Sequence, residues 1–465
     1  MHRRRFLGLS SAAVAGAGLG LGTGPVGTLA QENDARPVLV VAQNFIPPSL
    51  DPSASSYELI SGGQAETLTR VTDDFGIEPW LAESITQVDP TTWQIALRQN
   101  ATFWDGAPVD AEAVVASLHW SWASIAGSEG FIDPETAITA VDAWMVELVT
   151  PAPDAALPNN LASLYFPIVK PGEDGSYLLT GPYIPDELNP DESFTATAFD
   201  GHWGGAPAFA ALEARLVPDA NTAILALQSG EVDLVSSVPV DMVDLITGEF
   251  EVASVEGSRV HHVMFNHTSP LMADPAVRTA FSLAIDRATL NELAASGHGT
   301  VTTNPFPASS SIGAQPPADP DPDGAATLLD EAGWVLGDDG VRERDGQRLE
   351  LLIGSYAGRP ELTPLGIGIQ DQLNDLGFAI EVQEAADITE FLSGDDWDAS
   401  MYSINTLSTG DALYLLNAAY VTDGIYNYGR YSNPALDELV AEIQSSSDTE
   451  ERSSLIDQAV ALLVG

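Results

Sequence analysis

The sequence predicts an α/β protein built from more than one domain. Short apolar runs of strand length alternate with helix-period segments along the whole chain, and Gly, Pro and Asp clusters punctuate them. The composition, 45% hydrophobic with nine tryptophans, supplies material for sizeable cores, and 465 residues exceed one ordinary domain.

Taken in order, residues 37–44 (PVLVVAQN) read as a buried strand closed by the turn at Pro47, Pro48 and Ser49. Residues 93–98 (WQIALR) alternate apolar and polar side chains, as a half-buried strand does. After the turn at 105–108 (DGAP), Asp110 is placed to cap a helix over 111–124. Residues 144–150 predict a strand ended by Pro151 and Pro153. A helix over 221–229 stops at Gly230, where a C-cap glycine belongs, and a strand follows at 231–235. Residues 259–266 form a strand, and 274–295 hold one or two helices with Asp274 as cap. A Pro/Ser/Asp-rich loop at 305–323 leads into a helix at 323–332, stopped at Gly333. Strands at 348–353, 379–383 and 399–404 flank a helix at 363–376, and helices at 434–445 and 449–464 complete the chain.

The charge balance excludes several partners. The chain carries 17 Lys+Arg against 67 Asp+Glu, a formal net charge of −50, and its only lysine is Lys170. Phosphate recognition needs clustered cations, so nucleic acid is excluded, and an anionic membrane surface is disfavoured likewise. Self-repulsion of this size weakens a compact state in dilute salt, whereas molar salt screens it within about 3 Å. A halophilic setting is therefore expected. Without cysteine there are no disulfides, thiolate metal sites, cysteine nucleophiles or lipid-modified cysteines.

The N-terminus, 1–30, opens with Arg3, Arg4 and Arg5, continues through Phe6 and Leu7 into a Gly/Ala-rich stretch, and reaches a small-x-small site at Thr28 and Ala30. It resembles a twin-arginine export signal. Its glycines make it a poor membrane anchor, and no later run reaches the roughly 18 apolar residues of a spanning helix.

The usual catalytic frames, G-x-S-x-G, H-E-x-x-H and G-x-x-x-x-G-K-[ST], are missing. His261, His262 and His267 cluster in HHVMFNH, but on a strand His261 and His262 point to opposite faces and cannot grip one ion. His119, His202 and His298 are isolated. No catalytic residue, metal site or cofactor is expected.

Several stretches together resemble the extracellular solute-binding protein family 5, the peptide/nickel-type binding proteins of ABC importers. They are 50–52 (LDP), 77–84 (IEPWLAES), 92–98 (TWQIALR), 102–108 (TFWDGAP), 180–183 (TGPY) and 202–207 (HWGGAP). The series continues with 228–234 (QSGEVDL), 265–266 (FN), 274–278 (DPAVR), 284–287 (AIDR), 325–334 (AATLLDEAGW) and 428–434 (YGRYSNP). Each string is weak alone; their order across nearly the whole chain is what carries the resemblance. It implies a two-lobed, type II periplasmic-binding-protein-like fold with a small additional domain inserted in the first lobe. The expected division is a signal at 1–30, a first lobe from 31–55 and 165–265, the insert at 56–164, a second lobe at 266–450, and a final helix at 451–465. Relatives usually continue with a further strand, so the chain is expected to lack their last elements.

The resemblance also implies function: an exported, monomeric protein that encloses a peptide or small polar solute between its lobes and presents it to the transmembrane permease subunits of an ABC importer. Nickel or another metal chelate is the alternative ligand, and a secreted α/β hydrolase or a ligand sensor are the rival classes. Specificity is expected at 405–411 (NTLSTGD), where peptide-binding relatives carry an aspartate that pairs with the ligand ammonium. That position falls at Ser408, with Asp411 as the substitute if the loop shifts. The aromatic and histidine pattern of nickel-binding relatives is absent; Thr409, Leu413 and Leu416 stand there. The candidate ligand contacts are Asn44, Phe45 and Tyr57 in the first segments, and Tyr402, Asn405, Ser408, Asp411, Asn427, Tyr428 and Arg430 in the second lobe.

Overall fold

The computed structural model of the protein describes residues 35–464 other than 249, 311, 314–318 and 447. The export signal expected at 1–30 lies outside the described residues. The chain starts with β1 (Val38–Gln43) and α1 (Pro52–Ser61). It then leaves to build β2 (Ala82–Asp89), β3 (Thr92–Leu97), α2 (Ala111–Ser124), β4 (Ala137–Asp142) and β5 (Met145–Val149). These four strands form an antiparallel sheet in the order β2-β3-β5-β4. Its core gathers Trp93, Phe103, Leu118 and Phe166 under α2.

The chain returns with β6 (Tyr183–Asn189), β7 (Ser193–Ala198), β8 (Ala211–Leu216), α3 (Ala220–Ser229) and β9 (Leu234–Val235). The first-lobe sheet has the order β6-β7-β8-β1-β9, with β1 parallel to both β8 and β9. Parallel neighbours bring the carboxyl ends of β1, β8 and β9 to one edge, where ligands of open α/β sheets sit. The strand expected at 231–235 is shorter because Asp233 uses its carboxylate, not only its backbone, to bond Val40 N at 2.9 Å. Gly230 caps α3 at φ 78°, a left-handed conformation suited to glycine.

Beyond the crossing at 236–258 come β10 (Arg259–Phe265), α4 (Pro275–Ala284), α5 (Arg287–Ala295) and α6 (Pro322–Glu331). They are followed by β11 (Glu350–Tyr356), α7 (Leu362–Asn374), β12 (Ala379–Ala385), α8 (Ile388–Ser393) and β13 (Ala399–Asn405). The second-lobe sheet runs β10-β13-β11-β12. One strand corrects the expected division: 259–265, assigned above to the first lobe, pairs antiparallel with β13 from Arg259 opposite Asn405 to Phe265 opposite Ala399. Its partner is distant in sequence, so no local pattern could assign it. Phe281, Trp334, Ile353, Leu373 and Met401 fill the core of this lobe. A third core joins α9 (Ala412–Leu415), α10 (Pro434–Ser445) and α11 (Thr449–Val464), and it includes Ala156 from the insert.

Acid abundance is used locally at helix starts. Asp110, Asp219, Asp274, Asp286 and Asp321 each accept a backbone amide hydrogen bond as N-caps, where the helix dipole favours a negative charge. Asp110→Ala removes the 2.9 Å bond from Ala113 N and is expected to lower unfolding free energy by about 1 kcal/mol in urea melts. An unchanged midpoint would show that the cap contributes nothing.

Candidate functional site

The first-lobe wall follows from β1. Asn44 and Phe45 continue directly from its carboxyl end, and a cavity of about 50 Å³ beside them is lined by Asn44, Val217, Pro218, Ala223 and Ser236. Phe45 is 50% exposed and Tyr57, on α1, is 61% exposed, so neither ring belongs to a core. Of these three residues predicted from the sequence, only Asn44 lines that cavity.

The second-lobe wall is a row of rings. In the antiparallel register His262 lies opposite Tyr402, with ring centroids 5.9 Å apart, while Tyr356 on β11 lies 6.2 Å from Tyr402 and Tyr428 lies 6.3 Å from it. Burial, reinforced by the phenols of Tyr428, Tyr356 and Tyr426, pushes the Tyr402 hydroxyl up to about 12. It is a neutral donor and acceptor at any working pH. Burial pushes His262 down to about 4, so its ring is neutral too, and its Nδ1 is buried without a hydrogen-bond partner. Asn405 ends β13 opposite Arg259, and Asn405 and Ser408 are exposed.

Three of the expected contacts serve the scaffold instead. Asp411 is 5% exposed; it caps α9 by accepting from Leu413 N at 2.7 Å and pairs with Arg452 of α11 at 2.6 and 2.8 Å. Its charge is matched within the lobe, which corrects the expectation that it anchors a ligand ammonium. Asn427 donates to Val421 O and Tyr431 O and accepts from Tyr431 N, closing a turn. Arg430 donates to Gly394 O at 2.8 Å, Asp395 at 3.0 Å and Asn266 Oδ1 at 3.2 Å.

The loop at 406–411 is held from outside by the insert. Asn159 Nδ2 donates to Thr409 O at 2.9 Å, and the carbonyl of Phe75 comes so close to Gly410 (φ 71°) that a Cβ there would lie 2.6 Å away. Phe131 of the insert is stacked between Tyr165, 4.9 Å, and Tyr414 of α9, 4.8 Å. Sequence reasoning missed Tyr356, Phe131 and Tyr414. The tyrosine at the end of strand 350–356 was the one visible signal, since carboxyl ends of parallel strands line clefts.

The site offers apolar faces and neutral hydroxyls rather than reacting groups. Among the described residues, no group of three or more His, Cys, Asp or Glu could hold a metal ion, and no helix is long and apolar enough to cross a membrane.

Comparisons with known proteins agree with this geometry. The family described as bacterial extracellular solute-binding proteins, family 5, matches residues 76–427. The nickel-binding protein NikA of Staphylococcus aureus is 28% identical over 406 residues, 86% of this chain and 81% of that one. Its crystal structure in complex with Ni(L-His)2 has a TM-score of 0.72 at 26% identity, covering 92% of this chain and 91% of that chain. A nickel ABC transporter structure from Bacillus halodurans reaches a TM-score of 0.80 at 28% identity, with coverage of 92% and 91%. The glutathione-binding protein GsiB of Escherichia coli (strain K12) is 26% identical over 450 residues, 90% of this chain and 85% of that one. The two-lobed α/β architecture and the match across most of the chain converge: this chain belongs to the bacterial extracellular solute-binding proteins of family 5, the non-enzymatic solute-binding components of ABC importers.

Proposed function

We propose that this protein captures a small amino-acid-derived solute, a short peptide or an amino-acid chelate of a metal, between Asn44, Phe45 and Tyr57 on one wall and Tyr402, Tyr428, Asn405 and Ser408 on the other. The observation that carries this reading is the ring row around Tyr402; the exposed aromatics Phe45 and Tyr57 of the first segments support it. Aromatic faces with hydroxyl tips accept ligands of varied side chain. With no protein ligand set for a bare ion among the described residues, a metal would enter with its coordination filled by a small organic chelator. NikA and GsiB support the same class, because one binds nickel and the other glutathione.

In this reading the protein acts as a monomer outside the cytoplasmic membrane, exported through the twin-arginine-type leader, in surroundings salty enough to screen its charge. Ligand enclosure by lobe closure is the signal to the permease. Native mass spectrometry of protein purified in molar salt is the direct test. A co-purifying peptide or amino-acid chelate is expected; a sugar would overturn the ligand class.

A further inference from the structure

We propose that the seam between the insert and the helical side of the second lobe is a lock set by the proton of Asp154, tight when that carboxyl is neutral and loosened when it ionises. The proposal holds whichever solute is carried, and it adds a condition on how freely the second lobe moves. The seam is built from the segment 154–160 of the insert, which lies against the third core. Ala156 is 3% exposed and packs in one cluster with Leu407, Ala412, Leu413 and Ile456. Asn159, bonded to Thr409 O, and Phe131, stacked on Tyr414, hold the same seam. Asp154 stands at the head of this segment and is fixed on the insert side. Its carbonyl accepts from Trp93 Nε1 at 3.1 Å, and its Oδ1 accepts from Ala156 N at 2.9 Å.

The charges that meet across the seam do not balance. Asp154 faces one acid and one base of the second lobe, Asp411 at the start of α9 and Arg452 on α11. Arg452 gives Nη1 to Asp411 Oδ2 at 2.6 Å and Nη2 to Asp411 Oδ1 at 2.8 Å, a two-pronged pair that occupies its fork. Asp154 forms no ion pair among the described residues. Two carboxylates from two different bodies thus converge on one guanidinium, and the acid of the second lobe holds it. The acids flanking the seam are engaged elsewhere. Asp89, on the other side of the turn at Pro90, accepts from Thr91 N at 3.0 Å, and Glu451, beside Arg452, accepts from Ser446 Oγ at 2.8 Å.

Ionised, Asp154 puts an unmatched negative charge into this seam opposite Asp411; protonated, it leaves the Asp411–Arg452 pair undisturbed. Burial accordingly raises its carboxyl to about 6, whereas opening the seam returns it to water and to its ordinary value of 3.8. A group that holds its proton more tightly in the closed seam favours closure while protonated. Closure is therefore fullest below about pH 4 and is lost as pH rises through about 6. Two pKa units correspond to about a hundredfold change in the ratio of open to closed seam. Salt that screens the exposed acids of this chain screens a buried charge much less, so molar salt does not abolish the lock.

The test is amide hydrogen exchange read by mass spectrometry, in molar potassium chloride and without solute, over a pH series from about 4 to about 7.5. Wild type is compared at each pH with Asp154→Asn, which stays neutral and keeps an oxygen for Ala156 N. The comparison cancels the intrinsic pH dependence of exchange. Peptides covering 156–162 and 406–416 are expected to exchange alike in the two proteins near pH 4. Above about pH 7 wild type should exchange about tenfold or more faster there, with half of the change near pH 6. Peptides from β1, β8 and the β10–β13 sheet should show no such divergence. A ratio that stays flat across the series would overturn the lock. So would a divergence spread evenly over both lobes, which is what a carboxyl that merely lowers the stability of the whole fold would produce. If Asp154→Asn does not fold, the seam peptides of wild type are measured against β1 and β8 in the same digest, with the same two readings. No solute is present, so either failure leaves solute capture standing.

Discussion

Arg452→Met is expected to destabilise the protein by about 3–5 kcal/mol, because it leaves the carboxylate of Asp411 buried without its cation. The two side chains are 14% and 5% exposed, so water cannot replace the lost partner. Arg452 also donates to Ile443 O, which ties α11 to the end of α10. Urea unfolding in molar potassium chloride is the measurement, since a charged denaturant would change the screening. A loss below about 1 kcal/mol would mean that the pair behaves as a surface ion pair, contrary to its burial. Adding Asp411→Asn to Arg452→Met should recover part of the loss by removing the stranded charge, while preserving an acceptor for Leu413 N. Solute affinity should change little in Asp411→Asn alone, since that carboxylate faces Arg452 and the start of α9.

The second large effect concerns Asp154 in the insert, which shares this neighbourhood. Burial pushes its carboxyl up to about 6; the bond from Ala156 N opposes that shift, Asp411 adds to it and Arg452 reduces it. A raised folded value means that the native state binds this proton more tightly than the unfolded chain does. Stability from this group is therefore fully present below about pH 4 and is lost as pH rises through about 6. The difference of roughly two pKa units corresponds to about 3 kcal/mol. Asp154→Asn is neutral throughout, so its stability relative to wild type should climb by about that amount between pH 4 and pH 7, then level off. The slope is the readout, because steric effects of the amide shift the whole curve without tilting it. A flat difference would show that Asp154 ionises freely in the folded protein.

These two residues also mark where the sequence was legible and where it was not. Helix starts were readable because a cap acts over two or three residues: Asp110, Asp274 and the stop at Gly230 stand where the pattern puts them. Strands showed as apolar runs, but their partners did not, which is why 259–265 went to the wrong lobe. Asp411 looked like a ligand anchor since its cation lies 41 residues downstream on a different helix. Asn427 and Arg430 carry residue types that suit a cleft, yet their hydrogen bonds go to backbone groups and Asn266 close by in space.

The stack of Tyr165, Phe131 and Tyr414 has a mechanical consequence. Together with the Asn159 to Thr409 bond and the close approach of Phe75 to Gly410, it fastens the insert to the helical side of the second lobe. Any swing of that lobe about the 236–258 crossing must either unstack those rings or drag the insert along as ballast. The insert is bonded to first-lobe residues as well, Glu66 to His202 and Trp203 at 3.1 Å and Trp104 Nε1 to Gly181 O at 2.9 Å, so it acts as a clasp held at both ends, and a swing of one lobe against the other loads one set of these contacts or the other.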